Sequence, residues 1–178
     1  MSYATFHTQV GWQQVKCYSK SDIKMNDLKN SKVECQMMIR KSVSEVFQAF
    51  VDPRITTKFW FTKSSGKLEK GRTVTWEWEM YGIAEEIKVI EVVPNKKITI
   101  EWDNPSTTVD FEFSELSKET TYVVIKNYGF HQIGNDLIEA IKNNTGGFTT
   151  VLDGLKAYLE YGIELDLVKD KFPKIQKK

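Results

Sequence analysis

Apolar residues take alternate positions from residue 33 to 39 (Val33, Cys35, Met37, Ile39), the period of a strand with one buried face. Ser42 then opens a helix, and Glu45 three residues on completes a capping box, each side chain serving the other's backbone N–H. Val43, Val46, Phe47 and Phe50 form its apolar face. Asp52-Pro53 ends it, because the residue before a proline is pushed out of the helical region. Residues 55–61 are predicted to form a second short helix, running into the cluster Phe59-Trp60-Phe61.

A long β region follows. Lys70-Gly71 is a turn, after which Val74, Trp76, Trp78 and Met80 alternate with Thr73, Thr75, Glu77 and Glu79. Tyr81-Gly82 makes the next corner. Residues 84–93 read as a strand whose alternation slips at Val89-Ile90, where a bulge would restore it. Pro94-Asn95-Lys96 has turn chemistry. Ile98, Ile100 and Trp102 mark the inner face of another strand, closed by Asn104-Pro105, and Val109, Phe111 and Phe113 repeat the pattern. Residues 121–128 are the last strand. Connections this short imply antiparallel neighbours, since parallel pairing needs long crossovers. Two helices are expected at the end: a short one over residues 136–142, then a longer one started by Thr145 or Gly146-Gly147 and ended by Gly162. Phe148, Val151, Leu152, Leu155 and Leu159 give the longer helix one apolar stripe.

Composition adds a surplus to explain. The 178 residues, about one domain's length, include five Trp, seven Tyr and ten Phe, 12% of the chain. Net charge is +1, unlike the strongly basic balance of a nucleic-acid binder, so no nucleic-acid partner is expected. Residues 67–119 hold seven Lys/Arg against twelve Asp/Glu, a local balance of −5. That acidity would suit a basic protein partner or simply keep an outer sheet face soluble. The first residues have no basic start followed by an apolar run, and no apolar stretch reaches the roughly 20 residues of a membrane helix, so a cytoplasmic protein without membrane insertion is expected. Cys17 and Cys35 have no metal-ligand spacing; two thiols fit that compartment, with a disulfide between them left open.

These elements resemble a known family. Residues 42–53 (SVSEVFQAFVDP) followed by Phe59-Trp60 are similar to the opening of the AHSA-like proteins, homologues of the activator of the large heat-shock chaperone ATPase. Lys70-Gly71-Arg72, the stretch from Glu91-Val92-Val93-Pro94 through Trp102, and Gly147-Phe148 through Leu152, Leu155 and Leu159 continue the likeness over about residues 32–162. The family lies in the START-like, polyketide-cyclase-like helix-grip superfamily. The resemblance implies an α+β fold in which a curved antiparallel sheet wraps a long C-terminal helix, with two short helices after the first strand. It divides the chain into an N-terminal extension, 1–31, and a single START-like domain, 32–178, with a basic C-terminal tail. Tyr3, Phe6, Trp12 and Tyr18 in the extension are expected to pack on something.

A strongly curved sheet cannot touch a straight helix along its whole length, so a gap is expected between them. Gly154 and Ala157 reduce side-chain bulk on that helix. Each aromatic, taken singly, reads as core; as a group they suit a cavity wall, because Trp is hard to bury fully and wants a partner for its indole N–H. The expected lining is Trp60, Trp76, Trp78, Trp102, Phe111, Phe113, Tyr128, Phe148, Leu152 and Leu155. No catalytic, metal-ligating or cofactor-binding pattern is present: no GxSxG, HExxH, GxGxxG or phosphate loop. His131, beside Tyr128, has no orienting group at readable spacing and reads as a loop residue. Glu77/Glu79 and Glu85-Glu86 are carboxylate pairs in appearance only, Glu77 and Glu79 reading as solvated outer-face charge, and the five lysines of residues 169–178 read as a frayed, solvated tail. The leading expectation is non-enzymatic binding of a small hydrophobic or amphipathic ligand, lipid-like or polycyclic, between the sheet and the C-terminal helix. The resemblance adds a chaperone cofactor with a role in stress response, and a cyclase- or hydrolase-type enzyme remains a third reading.

Overall fold

A computed structural model of the chain describes residues 31–102 and 107–172. The expectations for Cys17 and the aromatics of the extension, for the Asn104-Pro105 turn and for the last lysines lie outside those residues. The elements run β1 (Lys32–Ile39), α1 (Val43–Val51), α2 (Pro53–Thr56), β2 (Lys63–Ser64), β3 (Thr73–Trp78), β4 (Ile83–Val93), β5 (Lys97–Trp102), β6 (Thr107–Ser117), β7 (Thr120–Tyr128), α3 (Gly134–Tyr161) and α4 (Leu167–Lys171).

The strands form one antiparallel sheet in the order β1-β7-β6-β5-β4-β3-β2, a meander closed by the first strand pairing with the last. Registers such as Ile98 opposite Phe111, Phe111 opposite Ile125 and Phe113 opposite Val123 keep the alternating apolar residues on one face. The bulge in β4 falls between Val89 and Glu91, at the slip in the alternation. Asn95 takes a left-handed φ of 59° and Gly71 and Gly82 take 79° and 67°, so the three turns carry residues that tolerate this conformation.

The capping box of α1 forms as its spacing dictates: Glu45 N–H donates to Ser42 Oγ at 3.3 Å and Ser42 N–H donates to Glu45 Oε2 at 3.2 Å. Two helical expectations need correcting. The short helix expected over 55–61 begins earlier and is only Pro53–Thr56, because Asp52 both ends α1 and caps α2, accepting from Arg54 N–H at 3.0 Å. Phe59, Trp60 and Phe61 therefore sit in the turn beyond it, all buried. The two C-terminal helices are one, α3 (Gly134–Tyr161). Thr145 does not cap it; its Oγ1 donates to Ile141 O at 2.7 Å within the continuing helix. Gly162, at φ 68°, ends it as expected.

The backbone of α3 comes closest to the sheet at β1, an edge strand. Beneath it lies a dry core of Ile39, Val46, Phe50, Ile98, Ile100, Val109, Ile125 and Leu155, all nearly free of solvent. Toward the β3–β5 half of the sheet helix and sheet separate, and the pocket described next occupies that space.

Candidate functional site

Period-two alternation puts Trp76 and Trp78 of β3 and Ile98, Ile100 and Trp102 of β5 on the inner sheet face, and Phe148 faces them from α3. Trp60 joins from the turn after α2, its ring centroid 4.8 Å from that of Trp76 and 6.1 Å from that of Trp102. Trp102 stacks on Phe148 at 5.8 Å with planes 29° apart. Between these groups lies a cavity of about 420 Å³, lined by Trp60, Trp78, Trp102, Phe148, Gly147 and Val151, by Tyr81 and Ile83 of the β3–β4 corner, and by Asn143, Asn144 and Thr150 of α3. Val168 and Lys171 of α4, with Phe172 after it, complete the wall.

The residues expected to line one pocket thus divide. Trp60, Trp78, Trp102 and Phe148 border it. Trp76, Phe111, Phe113 and Leu155 lie one layer deeper in the aromatic core; Trp76 stacks on Phe61 at 4.5 Å and is 1% exposed. Leu152 borders a different hollow, of about 210 Å³, beside Cys35, a buried free thiol. Tyr128 is on the wrong side of the sheet for any of these. The alternation of β7 sends Thr121, Val123, Ile125 and Asn127 inward and Tyr128 outward. There its hydroxyl donates to Asp110 Oδ2 at 3.2 Å, and burial followed by the Asp110 charge raises the phenol's pKa. Lys97 belongs to the same outer cluster, 3.1 Å from Asp110; burial opposes its charge, but Asp110 outweighs burial and raises its pKa.

What sequence reasoning missed lies mainly at the C-terminal end. Part of the basic tail is ordered rather than frayed: Tyr81 Oη donates to Val168 O, the rings of Tyr81 and Phe172 meet edge-on at 6.2 Å, and Lys171 Nζ donates to Thr150 Oγ1 at 3.0 Å. These contacts join residues far apart in the chain, so no local pattern announces them. Gly146 permits the last: a Cβ there would stand 3.1 Å from Lys171 Nζ.

Charges further out hold the frame. Asp52, almost fully buried, accepts from both the Arg54 guanidinium and Lys67, which keep its pKa well below the usual carboxylate range. That cluster ties the loop before β3 to the α1–α2 corner, and so fixes the turn bearing Trp60. Glu160, its side chain 4% exposed, pairs with Lys156 at 2.5 Å and Arg40 at 3.2 Å; burial raises its pKa, but the two cations outweigh that and lower it. His131 lies exposed in the β7–α3 connection and is not among the residues lining the pocket. Among the described residues no three His, Cys, Asp or Glu side chains converge as metal ligands, and no helix is long and apolar enough to cross a membrane.

Residues 40–160 match the family model described as Activator of Hsp90 ATPase homolog 1-like protein. Among solved structures the chain is similar to the protein SSP2350 from Staphylococcus saprophyticus, at 27% identity over 76% of this chain and 96% of that one, with a TM-score of 0.67. It is similar in fold to the Aha1 dimer from Colwellia psychrerythraea, at 20% identity over 74% of this chain and 98% of that one, TM-score 0.63. CalU16 from Micromonospora echinospora shares the fold at 16% identity over 79% and 82% of the two chains, TM-score 0.60. No curated protein matches the chain.

Proposed function

The chain belongs to the Activator of Hsp90 ATPase homolog 1-like family, with its START-like helix-grip fold, and from that premise we propose that it binds, without catalysis, a small hydrophobic or amphipathic molecule between sheet and long helix. The observation that carries this reading is the cavity of about 420 Å³ walled by Trp60, Trp78, Trp102 and Phe148. Its size falls in the range of small-molecule sites, and its mostly apolar lining with a few polar groups is the composition of such sites. A lipid-like chain or a polycyclic ring system fits that wall.

Burying about 300 Å² of apolar ligand contributes roughly 7 kcal/mol. Association costs on the order of 4–15 kcal/mol, so such a ligand must fill the cavity and meet some of its polar groups to bind usefully. The exposed position of His131 weighs against the cyclase or hydrolase reading, since the pocket's described lining then offers no imidazole to serve as a general base.

Native mass spectrometry of the full chain against fatty acids, sterols and polycyclic aromatics tests the proposal, with Gly147→Leu as control. A Cβ at Gly147 meets nothing within 4 Å, so leucine there grows into the cavity rather than into its neighbours. Retained ligands that the variant loses are the expected result; retention by neither protein removes the reading. The family description favours a second reading, a chaperone cofactor. Stimulation of an Hsp90 ATPase by the purified chain would establish it, and no effect at saturating concentration would dismiss it.

A further inference from the structure

The pocket is apolar except along one stretch of rim. There Asn143, Asn144 and Thr150 of α3 stand with Lys171 of α4, the only charged residue among the described residues that line the cavity. Lys171 is held in place, and no acid among the described residues neutralises it. Its Nζ donates to Thr150 Oγ1 at 3.0 Å, and that hydroxyl in turn donates to Gly146 O at 2.8 Å. An ammonium has three N–H donors, so two remain for another acceptor. None of the ion pairs among the described residues includes Lys171, although the lysines at 58, 63, 67, 88, 97, 126, 142 and 156 are all paired.

A second donor waits in the same wall. The Trp102 indole Nε1–H is buried and has no acceptor among the described residues, a costly state for a group that nearly always finds one. The cavity wall therefore carries an ammonium with N–H groups to spare and, in one of its lining residues, a buried indole N–H without an acceptor among the described residues.

We propose that the pocket selects an anionic amphiphile, an apolar body buried among the tryptophans whose carboxylate or phosphate head is received by Lys171 at the rim. This rests on the binding reading above and adds the chemical class of the ligand. Charge-assisted hydrogen bonds to an ammonium are among the stronger polar contacts. A neutral ligand leaves Lys171 no worse than before, whereas a cationic one is repelled by it.

Isothermal titration calorimetry of the full chain with decanoate, decyl phosphate, decanol and decyltrimethylammonium, at low salt and neutral pH, tests this. Both anions are expected to bind about 10-fold more tightly than decanol, and the cation more weakly. Which anion binds more tightly separates a carboxylate from a phosphate head. Lys171→Gln should abolish the anions' advantage over decanol, and Lys171→Arg should keep it. Equal affinities for decanoate, decyl phosphate and decanol, or a Lys171→Gln variant that weakens decanol as much as the anions, would overturn the proposal but leave a hydrophobic pocket standing. If none of the four probes binds, the anionic class falls, and the binding reading stands or falls with the sterols and polycyclic aromatics of the mass-spectrometric panel.

Discussion

Gly154 illustrates how one missing side chain can position a functional one. Added at that position, a Cβ would lie 3.0 Å from the Phe59 carbonyl oxygen and 3.2 Å from Phe59 Cβ, tighter than most packed contacts, so the turn would have to give way. Phe59 immediately precedes Trp60, so this contact sets how closely the tryptophan's turn rides on α3. Alanine gains up to about 1 kcal/mol over glycine in a helix interior, but overpacking against backbone costs about 1–3 kcal/mol. Gly154→Ala is therefore expected to lower stability in urea denaturation; an unchanged or raised midpoint would show that the turn yields freely. Asp52 works on the same turn from the other side. Asn caps a helix about as well as Asp, so Asp52→Asn isolates the charge that Arg54 and Lys67 hold, and should destabilise by roughly 1–2 kcal/mol at neutral pH. The pKa of Asp52 is lowered by folding, so its contribution is complete above the unfolded value near 4 and fades as pH falls below it. The gap between wild type and Asp52→Asn should therefore narrow from pH 5 to pH 2, which denaturation midpoints at the two pH values would reveal. Asp52's role as a helix stop was legible in Asp-Pro; its pairing with Lys67, fifteen residues on, was not.

At the scale of elements, local periodicity carried most of the information. Alternation located the main strands, the slip at Val89-Ile90 located the bulge, and Ser42 with Glu45 located the start of α1. It failed where tertiary contacts override local preference. Two adjacent glycines look like a helix boundary, yet Gly146 and Gly147 lie inside α3, which Phe148, Val151, Leu152 and Leu155 anchor to the core just beyond them. α4 escaped notice for a related reason: five residues, three of them charged, show no period, and what holds them includes Tyr81, 87 residues from Val168. The strap can be loosened selectively. Tyr81→Phe keeps the ring against Phe172 and removes the hydroxyl that donates to Val168 O and Lys169 O. Hydrogen exchange should then quicken in α4 while β3 and β4 stay protected, since few buried contacts hold so short an end. Unchanged exchange in α4 would mean that Lys171 and Phe172 hold it without Tyr81.

For the molecule as a whole, the aromatic surplus proves to serve two purposes that alternation could not separate. Trp76 and Trp78 share one strand face, yet the first is core and the second borders the cavity. Only the divergence of α3 from the sheet decides which. A fold that keeps a hollow beside its core gives up packing it could have had, and Gly147 measures that concession. Leucine at Gly147 should stabilise the unliganded protein by about 1 kcal/mol through helix propensity, with a further gain from apolar area buried in the cavity. A ligand that binds only the native state adds about 2.7 kcal/mol at a concentration 100 times its Kd, and the filled variant cannot receive it. The order of stability should therefore cross: Gly147→Leu melts higher than wild type alone, and lower than wild type in saturating decanoate. Thermal melts of both proteins with and without decanoate decide the matter. A variant that responds to decanoate as wild type does would place the ligand outside this cavity. One that melts below wild type without ligand would show that the hollow near α3 is too small for the side chain, and that the wall there already packs as a core.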